Sequence, residues 1–284
     1  MHDRSPGAAA ALGALGATVA ASPRAVAAAS DAVVTCLPSP AAVTAVVAGP
    51  DGVLEGLRPG GTWIDCSTND LHELRRLAKL AAARRVETLE APVTGGVHLA
   101  AAGEITVIVG GDEAVAADHR ALFDAMGRSV YHVGPLGAAS ALKVITNLLA
   151  FVHLVADGEA LMLARRAGLD LGQAWEVIRA SSGTSFVHET EGQLILNGSY
   201  DIGFTMDLAL KDLGLARELA HEGGVPLELG AVVEGVFRRA CDAYGGSAWS
   251  TMVVRLLEDA VGVDLRAPGF PASLGSRRPQ ARSE

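Results

Sequence analysis

The chain has 284 residues, 50% of them hydrophobic and 19% charged, enough to bury a sizeable core and too apolar for a disordered protein. Its formal net charge of −9 argues against nucleic acid as a partner, since phosphate neutralisation needs a clustered excess of Lys and Arg. Aromatics at 4%, beside abundant Ala and Gly, favour packed helices over a β-sandwich.

In chain order, the first half alternates short β-like runs with helical stretches. Residues 33–36, 62–65, 87–91, 105–110 and 130–133 read as strands, and 71–85 and 113–126 as helices. This alternation predicts a mostly parallel sheet covered by helices. Val33-Val34-Thr35-Cys36-Leu37 is apolar on both faces, as a buried parallel strand is. From 138 to 167 there is no Pro and one Gly, Gly158, which predicts a single helix of roughly 30 residues, about 45 Å long. Gly168 suits its C-cap. Beyond it, 171–180, 204–222, 226–244 and 248–261 read as further helices, with Asp170 an N-cap and Pro226 near a helix start. The Pro-, Gly- and Arg-rich end, 267–284, reads as disordered. The three cysteines, Cys36, Cys66 and Cys241, form no CxxC pair and predict reduced thiols in the cytoplasm, with no metal site. No run of about 18 uninterrupted apolar residues predicts a membrane span, and the Ala-rich start lacks the layout of a signal peptide.

Three local signals carry chemistry, each with a plainer reading beside it. Lys143 and Asn147, after Gly134-Pro135-Leu136-Gly137, are four apart and project from one helix face; alone, the pair equally describes a surface Lys whose stem snorkels along Ala139, Ala150 and Leu154. Ala91-Pro92-Val93-Thr94-Gly95-Gly96 follows a strand, where glycines admit a ligand close to backbone N–H groups or simply make a βα turn. Asp65-Cys66-Ser67-Thr68 also ends a strand, where a parallel sheet binds ligands, or where Ser67 to Asp70 caps the next helix.

Together these segments resemble the β-hydroxyacid dehydrogenase family, which includes 3-hydroxyisobutyrate dehydrogenase and tartronate semialdehyde reductase. The resemblance runs through Asp31 to Pro38, Asp65 to Thr68, Ala91 to Gly96, Gly103 to Gly111, and Gly134, Gly137, Lys143 and Asn147. It continues through Glu159, Ala167 to Asp170, Ser181 to Gly183, Gly203 to Met206 and Leu210 to Leu213, and covers about residues 2 to 262. It implies an α/β Rossmann-like parallel sheet followed by an all-α domain of the 6-phosphogluconate dehydrogenase type. The domains are expected at 1–135 and 136–265, with a disordered tail at 266–284 and the active site in the cleft between the two domains. It implies NAD or NADP as cofactor, a small hydroxyacid as substrate, and a homodimer or homotetramer. Lys143 takes the place of the catalytic lysine, and Asn147 of the residue that holds substrate and steadies it. Thr94, Gly95 and Gly96 match the loop that binds the substrate carboxylate. Leu37, Pro38 and Thr68 match cofactor contacts, and Lys211 the lysine that closes over cofactor and substrate.

The chain departs from the family pattern at its start. His2-Asp3-Arg4-Ser5-Pro6 reads as the end of the family's second strand, and no Gly-x-Gly-x-x-Gly follows a strand to cradle a pyrophosphate. One strand–turn–helix unit is missing from the pattern, so the expectation is an N-terminally truncated form that binds the cofactor weakly. Asp3 favours NAD through the ribose hydroxyl, while Arg4 with Ser5 resembles a pair that binds the 2′-phosphate of NADP, so cofactor choice stays open. Glu90 replaces a more usual Asp, Thr94 a Ser, and Thr146 an Asn. Two rival readings accompany this one: an imine reductase on the same scaffold, against which Lys143 speaks, and a non-catalytic dimeric remnant.

Overall fold

The computed structural model describes residues 1–275. The chain forms two compact units: Met1–Thr94 with Thr106–Lys143, and Gly95–Ile105 with the chain from Val144 onward. The division falls inside the long helix, eight residues after the boundary expected at 135.

The elements of the first half are α1 (Pro6–Gly13), α2 (Pro23–Ala28), β1 (Ala32–Thr35), α3 (Pro40–Ala48), α4 (Val53–Gly56), β2 (Thr62–Asp65), α5 (Leu71–Ala83), β3 (Glu87–Glu90) and β4 (Val93–Thr94). Then come α6 (Gly96–Ala101), β5 (Ile105–Val109), α7 (Glu113–Asp118), α8 (Arg120–Met126), β6 (Gly127–His132) and the long α9 (Ala138–Arg166). The second half adds α10 (Leu171–Arg179), α11 (Phe186–Asn197), α12 (Met206–Glu222), α13 (Glu228–Tyr244), a 3-10 turn at Ser250–Val254 and α14 (Arg255–Val261).

In the first unit β1, β2 and β3 form a parallel sheet in that order, with Thr35 beside Asp65 and Asp65 beside Glu90 at their carboxyl ends. Every residue of β2 is buried, and Trp63 packs with Val43 and Val47 of α3 and Leu74, Leu77 and Ala81 of α5. The i, i+3, i+7 spacing of those last three is the apolar stripe that lays α5 on the sheet. The last three strands are arranged differently from the expected parallel sheet. β5 and β6 join a second sheet with β4, and β4 runs antiparallel to β5. The cause is local: Pro92 has no N–H to extend the ladder of β3, and Glu90 instead exchanges both backbone hydrogen bonds with Gly110 (3.0 and 2.9 Å). The expected strand end at His2 to Arg4 is also absent. That segment leads into α1, and Asp3 Oδ1 accepts from the Ser5 N–H at 2.7 Å.

The second unit is all-helical apart from an isolated bridge between Thr205 and Trp249. Its core gathers Phe151, Leu154, Leu161 and Met162 of α9 with Trp175, Ile195, Met206, Leu213 and Phe237. Among the described residues, α9 is the one helix long and apolar enough to cross a membrane, with mean hydropathy 1.7 over 18 residues. Four of its apolar side chains supply the protein core, while Ile145, Leu149 and Leu163 are exposed. Of the tail expected from 266, Arg266 and Phe270 are held: Arg266 bonds Glu258 Oε1 (2.8 Å) and the Phe270 ring meets Trp175 edge-on at 5.2 Å. Residues 276–284 of that expectation lie outside the described residues.

Candidate active site

The carboxyl ends of β1 and β2 are organised by one buried carboxylate. Asp65 accepts from Thr35 Oγ1 (2.9 Å), Asn69 Nδ2 (2.9 Å) and the Ser67 N–H (3.1 Å), while Trp63 Nε1 donates to Thr35 Oγ1 (2.9 Å). Burial pushes the Asp65 carboxyl up, and the hydrogen bonds from Ser67, Thr35 and Asn69 pull it back. Ser67 Oγ accepts from the Leu37 N–H at 2.9 Å, so the loop after β1 is tied to the loop after β2. Within the stretch Ser67 to Asp70, the helix cap is Asp70, which accepts from the Glu73 N–H at 2.7 Å. Leu37, Pro38 and half-buried Thr68 therefore stand on two fixed loops at the carboxyl ends of parallel strands, where a doubly wound sheet receives a dinucleotide. Pro38 has no N–H and the Leu37 N–H is spent on Ser67 Oγ, so of these three the Thr68 hydroxyl has the chemistry to meet a ribose of NAD or NADP. Among the described residues no Gly-x-Gly-x-x-Gly follows a strand to hold the pyrophosphate.

Next along the sheet, Glu90 ends β3 with 1% exposure, and its side chain holds the start of α9. Its carboxylate accepts from the N–H groups of Gly137 (2.6 Å), Ala139 (2.9 Å) and Ser140 (2.9 Å), and from the Ser140 hydroxyl. Ala138 N–H donates to Pro135 O at 3.0 Å, so all four N–H groups that open the helix are satisfied. A side chain at Gly110 would have no room, because a Cβ there would lie 2.3 Å from Glu90 Oε1. Gly110→Ala should lower unfolding stability by roughly 1–3 kcal/mol, measured by urea denaturation. An unchanged midpoint would show that this carboxylate is not held where the backbone needs it.

Lys143 follows one turn later and is 8% exposed, which removes the surface-lysine reading. Its ammonium acts on Cys36 at the end of β1: burial pushes that thiol up, Asp65 adds to the rise, and Lys143 opposes it. Thr94 closes β4 beside Thr106 of β5. Gly95 and Gly96 follow with φ of 125° and 83°, a left-handed pair that side-chain-bearing residues resist. A Cβ on Gly95 would also sit 2.9 Å from Leu99 Cδ1.

In the second unit Asn147 Nδ2 donates to Asp212 Oδ2 at 2.5 Å, and Lys211 Nζ lies 2.9 Å from Asp212 Oδ1. Asn147 and Lys211, 64 positions apart, are thus brought together by Asp212. Asp3 and Arg4 are exposed and precede α1. Glu90 and Asp65 are the residues whose organising roles went unread. Their signal was an acidic side chain ending an otherwise apolar strand.

The family described as the NAD binding domain of 6-phosphogluconate dehydrogenase matches residues 1–134, and that described as NAD-binding of NADP-dependent 3-hydroxyisobutyrate dehydrogenase matches residues 137–257. The chain is 36% identical over 241 residues to 2-(hydroxymethyl)glutarate dehydrogenase of Eubacterium barkeri, covering 84% of this chain and 80% of that one. It is 32% identical over 252 residues to mitochondrial 3-hydroxyisobutyrate dehydrogenase of Mus musculus, covering 86% and 75%. Among solved structures, 3-hydroxyisobutyrate dehydrogenase from Salmonella typhimurium superposes with a TM-score of 0.83 at 34% identity, covering 90% of each chain. An imine reductase from Myxococcus stipitatus superposes at 0.56 with 18% identity over 90% of each chain, a likeness of fold alone.

Proposed function

The chain belongs to the β-hydroxyacid dehydrogenase family of NAD(P)-dependent enzymes, and on that premise we propose that it interconverts a short β-hydroxyacid and its semialdehyde or keto form, with Lys143 as the acid–base group. The nicotinamide, when bound, supplies or accepts the hydride. Lys143 gives its proton to the carbonyl oxygen in reduction and takes it from the hydroxyl in oxidation. Thr94, Gly95 and Gly96 receive the substrate carboxylate, where φ values open to glycine keep the backbone clear of side chains. Asn147 orients the substrate and is itself oriented by Asp212. Leu37, Pro38, Thr68 and Lys211 line the cofactor, and Asp3 with Arg4 meets the adenosine ribose.

The observation that carries this reading is a buried ammonium one turn beyond a helix start fixed by four hydrogen bonds to Glu90. Burying a charge costs several kcal/mol, and a surface position would have avoided it. The test is a panel of short β-hydroxyacids with NAD and with NADP, followed by formation of the reduced nicotinamide. Turnover is expected with a β-hydroxyacid. Reduction of a cyclic imine with no hydroxyacid oxidation would give the chain to the imine reductases instead, and cofactor binding without either reaction would make it a non-catalytic remnant.

The partner we propose besides substrate is a second copy of the chain, as a homodimer or homotetramer. Support comes from apolar side chains left exposed in the second unit, Ile145 and Leu149 on α9 and Leu229 and Val232 on α13. Cytoplasmic placement is consistent with three unpaired thiols, and the acidic net charge gives no footing for nucleic acid.

A further inference from the structure

Glu90 is a buried charge whose four donors all come from one place, the opening turn of α9, across 47 to 50 residues of sequence. A helix start normally finds its cap in the residues just before it. Here those residues are Gly134 to Gly137 and offer no side-chain acceptor. Lys143 lies three residues past Ser140 and four past Ala139. Side chains on a helix lean toward its N-terminus, so the Lys143 stem runs back over the turn that Glu90 holds. We propose that Glu90 is the positioning residue of Lys143: it fixes the turn beneath the amine and supplies the negative charge that keeps the amine protonated and ready to donate.

The charge argument has a definite sign. The start of a helix carries about half a positive charge, which disfavours an ammonium nearby, and the Glu90 carboxylate offsets it. Two further groups of the first unit bear on this turn: Cys36, on which the Lys143 ammonium acts, and Arg75 of α5. The Arg75 Nη2 would stand 3.2 Å from a Cβ on Gly137. Arg75, a cation beside Gly137, pushes the amine toward its neutral form as well. Removing Glu90 leaves the helix and Arg75 less opposed.

This inference rests on Lys143 as proton donor, and its test separates the two claims. The pH dependence of Lys143 acetylation, read by peptide mass spectrometry on the whole chain without cofactor, reports the amine directly. In Glu90→Gln, which keeps size but not charge, the midpoint should fall by about one pH unit. Glu90→Asp, which keeps the charge, should stay within a few tenths of a unit of the parent. A Glu90→Gln midpoint equal to the parental one, in a variant that folds, overturns the proposal by reducing Glu90 to a structural cap. Should Glu90→Gln not fold, Glu90→Asp decides: a parental midpoint supports the proposal, and a fall of a full unit overturns it. In turnover, Glu90→Gln should lower kcat about tenfold with KM for the hydroxyacid nearly unchanged. If Lys143→Ala keeps parental turnover while Glu90→Gln shifts the midpoint, the dehydrogenase role of Lys143 fails and the coupling of Glu90 to it stands.

Discussion

Lys143→Ala should lower kcat by roughly 10²–10⁴-fold, the usual contribution of a positioned proton donor, and leave cofactor affinity close to parental. Two separations in the structure make the effect specific. The turn that carries Lys143 is anchored at Gly137, Ala139 and Ser140, three to six residues earlier, so truncating the side chain leaves the anchor in place. Ala is also the strongest helix former, which keeps α9 intact. The loops with Leu37, Pro38 and Thr68 are fixed by hydrogen bonds to Asp65 and Ser67 from the Thr35 hydroxyl and the Ser67 and Leu37 N–H groups. Lys143→Arg sharpens the test. A guanidinium keeps the charge but does not release its proton near neutral pH, so this variant should be nearly as slow as Lys143→Ala. Stopped-flow turnover, with cofactor affinity from nicotinamide fluorescence, reads both quantities. Near-parental kcat in Lys143→Ala would end the acid–base assignment, and recovery in Lys143→Arg would mean that charge alone is needed.

What the sequence revealed of this fold follows from how far apart the deciding residues lie. β2 was legible because Trp63 and Ile64 stand between Gly60-Gly61 and a polar run, a purely local pattern. α9 was legible because no Pro interrupts 138 to 167. α2 and α3 went unread although each opens with Ser then Pro, at Ser22-Pro23 and Ser39-Pro40, with the hydroxyl accepting from the Ala25 and Ala42 N–H groups. Ser as N-cap with Pro at the first helical position is a usable signal. α11 was hidden differently: Ser185 caps it, but buried His188 and Thr190 break its apolar period. The helix expected over 113–126 is split at His119, whose side chain bonds the Val115 carbonyl at 2.9 Å. For the candidate site, the residues were readable and their supports were not. Glu90 to Ser140 spans 50 positions and Asn147 to Asp212 spans 65, and no local period encodes either pairing. The Arg- and Pro-rich end likewise concealed Phe270, which is ordered by Trp175 nearly 100 positions earlier.

His188→Ala should cost roughly 3–5 kcal/mol, the penalty for stripping one partner from a buried ion pair, and lower Tm by roughly 10 °C. His188 is 1% exposed in the second unit, with Nδ1 at 2.5 Å from Asp157 Oδ1 and Nε2 at 2.9 Å from the Trp175 carbonyl. Both partners only accept, so both ring nitrogens carry protons and the ring is an imidazolium paired with Asp157. Trp175 Nε1 donates to the His188 carbonyl at 2.9 Å, and the two rings stack at 5.5 Å. Losing the ring therefore strands the Asp157 charge and unpacks Trp175. Burial alone would lower the His188 pKa, but the hydrogen bonds to Asp157 and Trp175 and the charges of Asp157 and Glu189 more than reverse it. A folded value raised above about 6.5 gives stability that is complete below that pH and lost as pH climbs through the folded value. Nearby Glu191 acts with the same sign. Its carboxyl is pushed up to about 7, mainly by burial, against the hydrogen bonds from Thr190 and its own backbone. Its contribution is present below about pH 4.5 and lost as pH passes 7. Glu191 makes Tm fall as pH rises from about 4.5 through 7, and His188 makes it fall further as pH climbs above about 6.5. The part owed to the ring should vanish in His188→Ala, leaving a shallower slope that Glu191→Gln removes. Thermal melts of the three proteins across that range decide the matter. A rising Tm, or a His188→Ala protein within a degree or two of the parent, would show that the imidazolium is not the second unit's keystone.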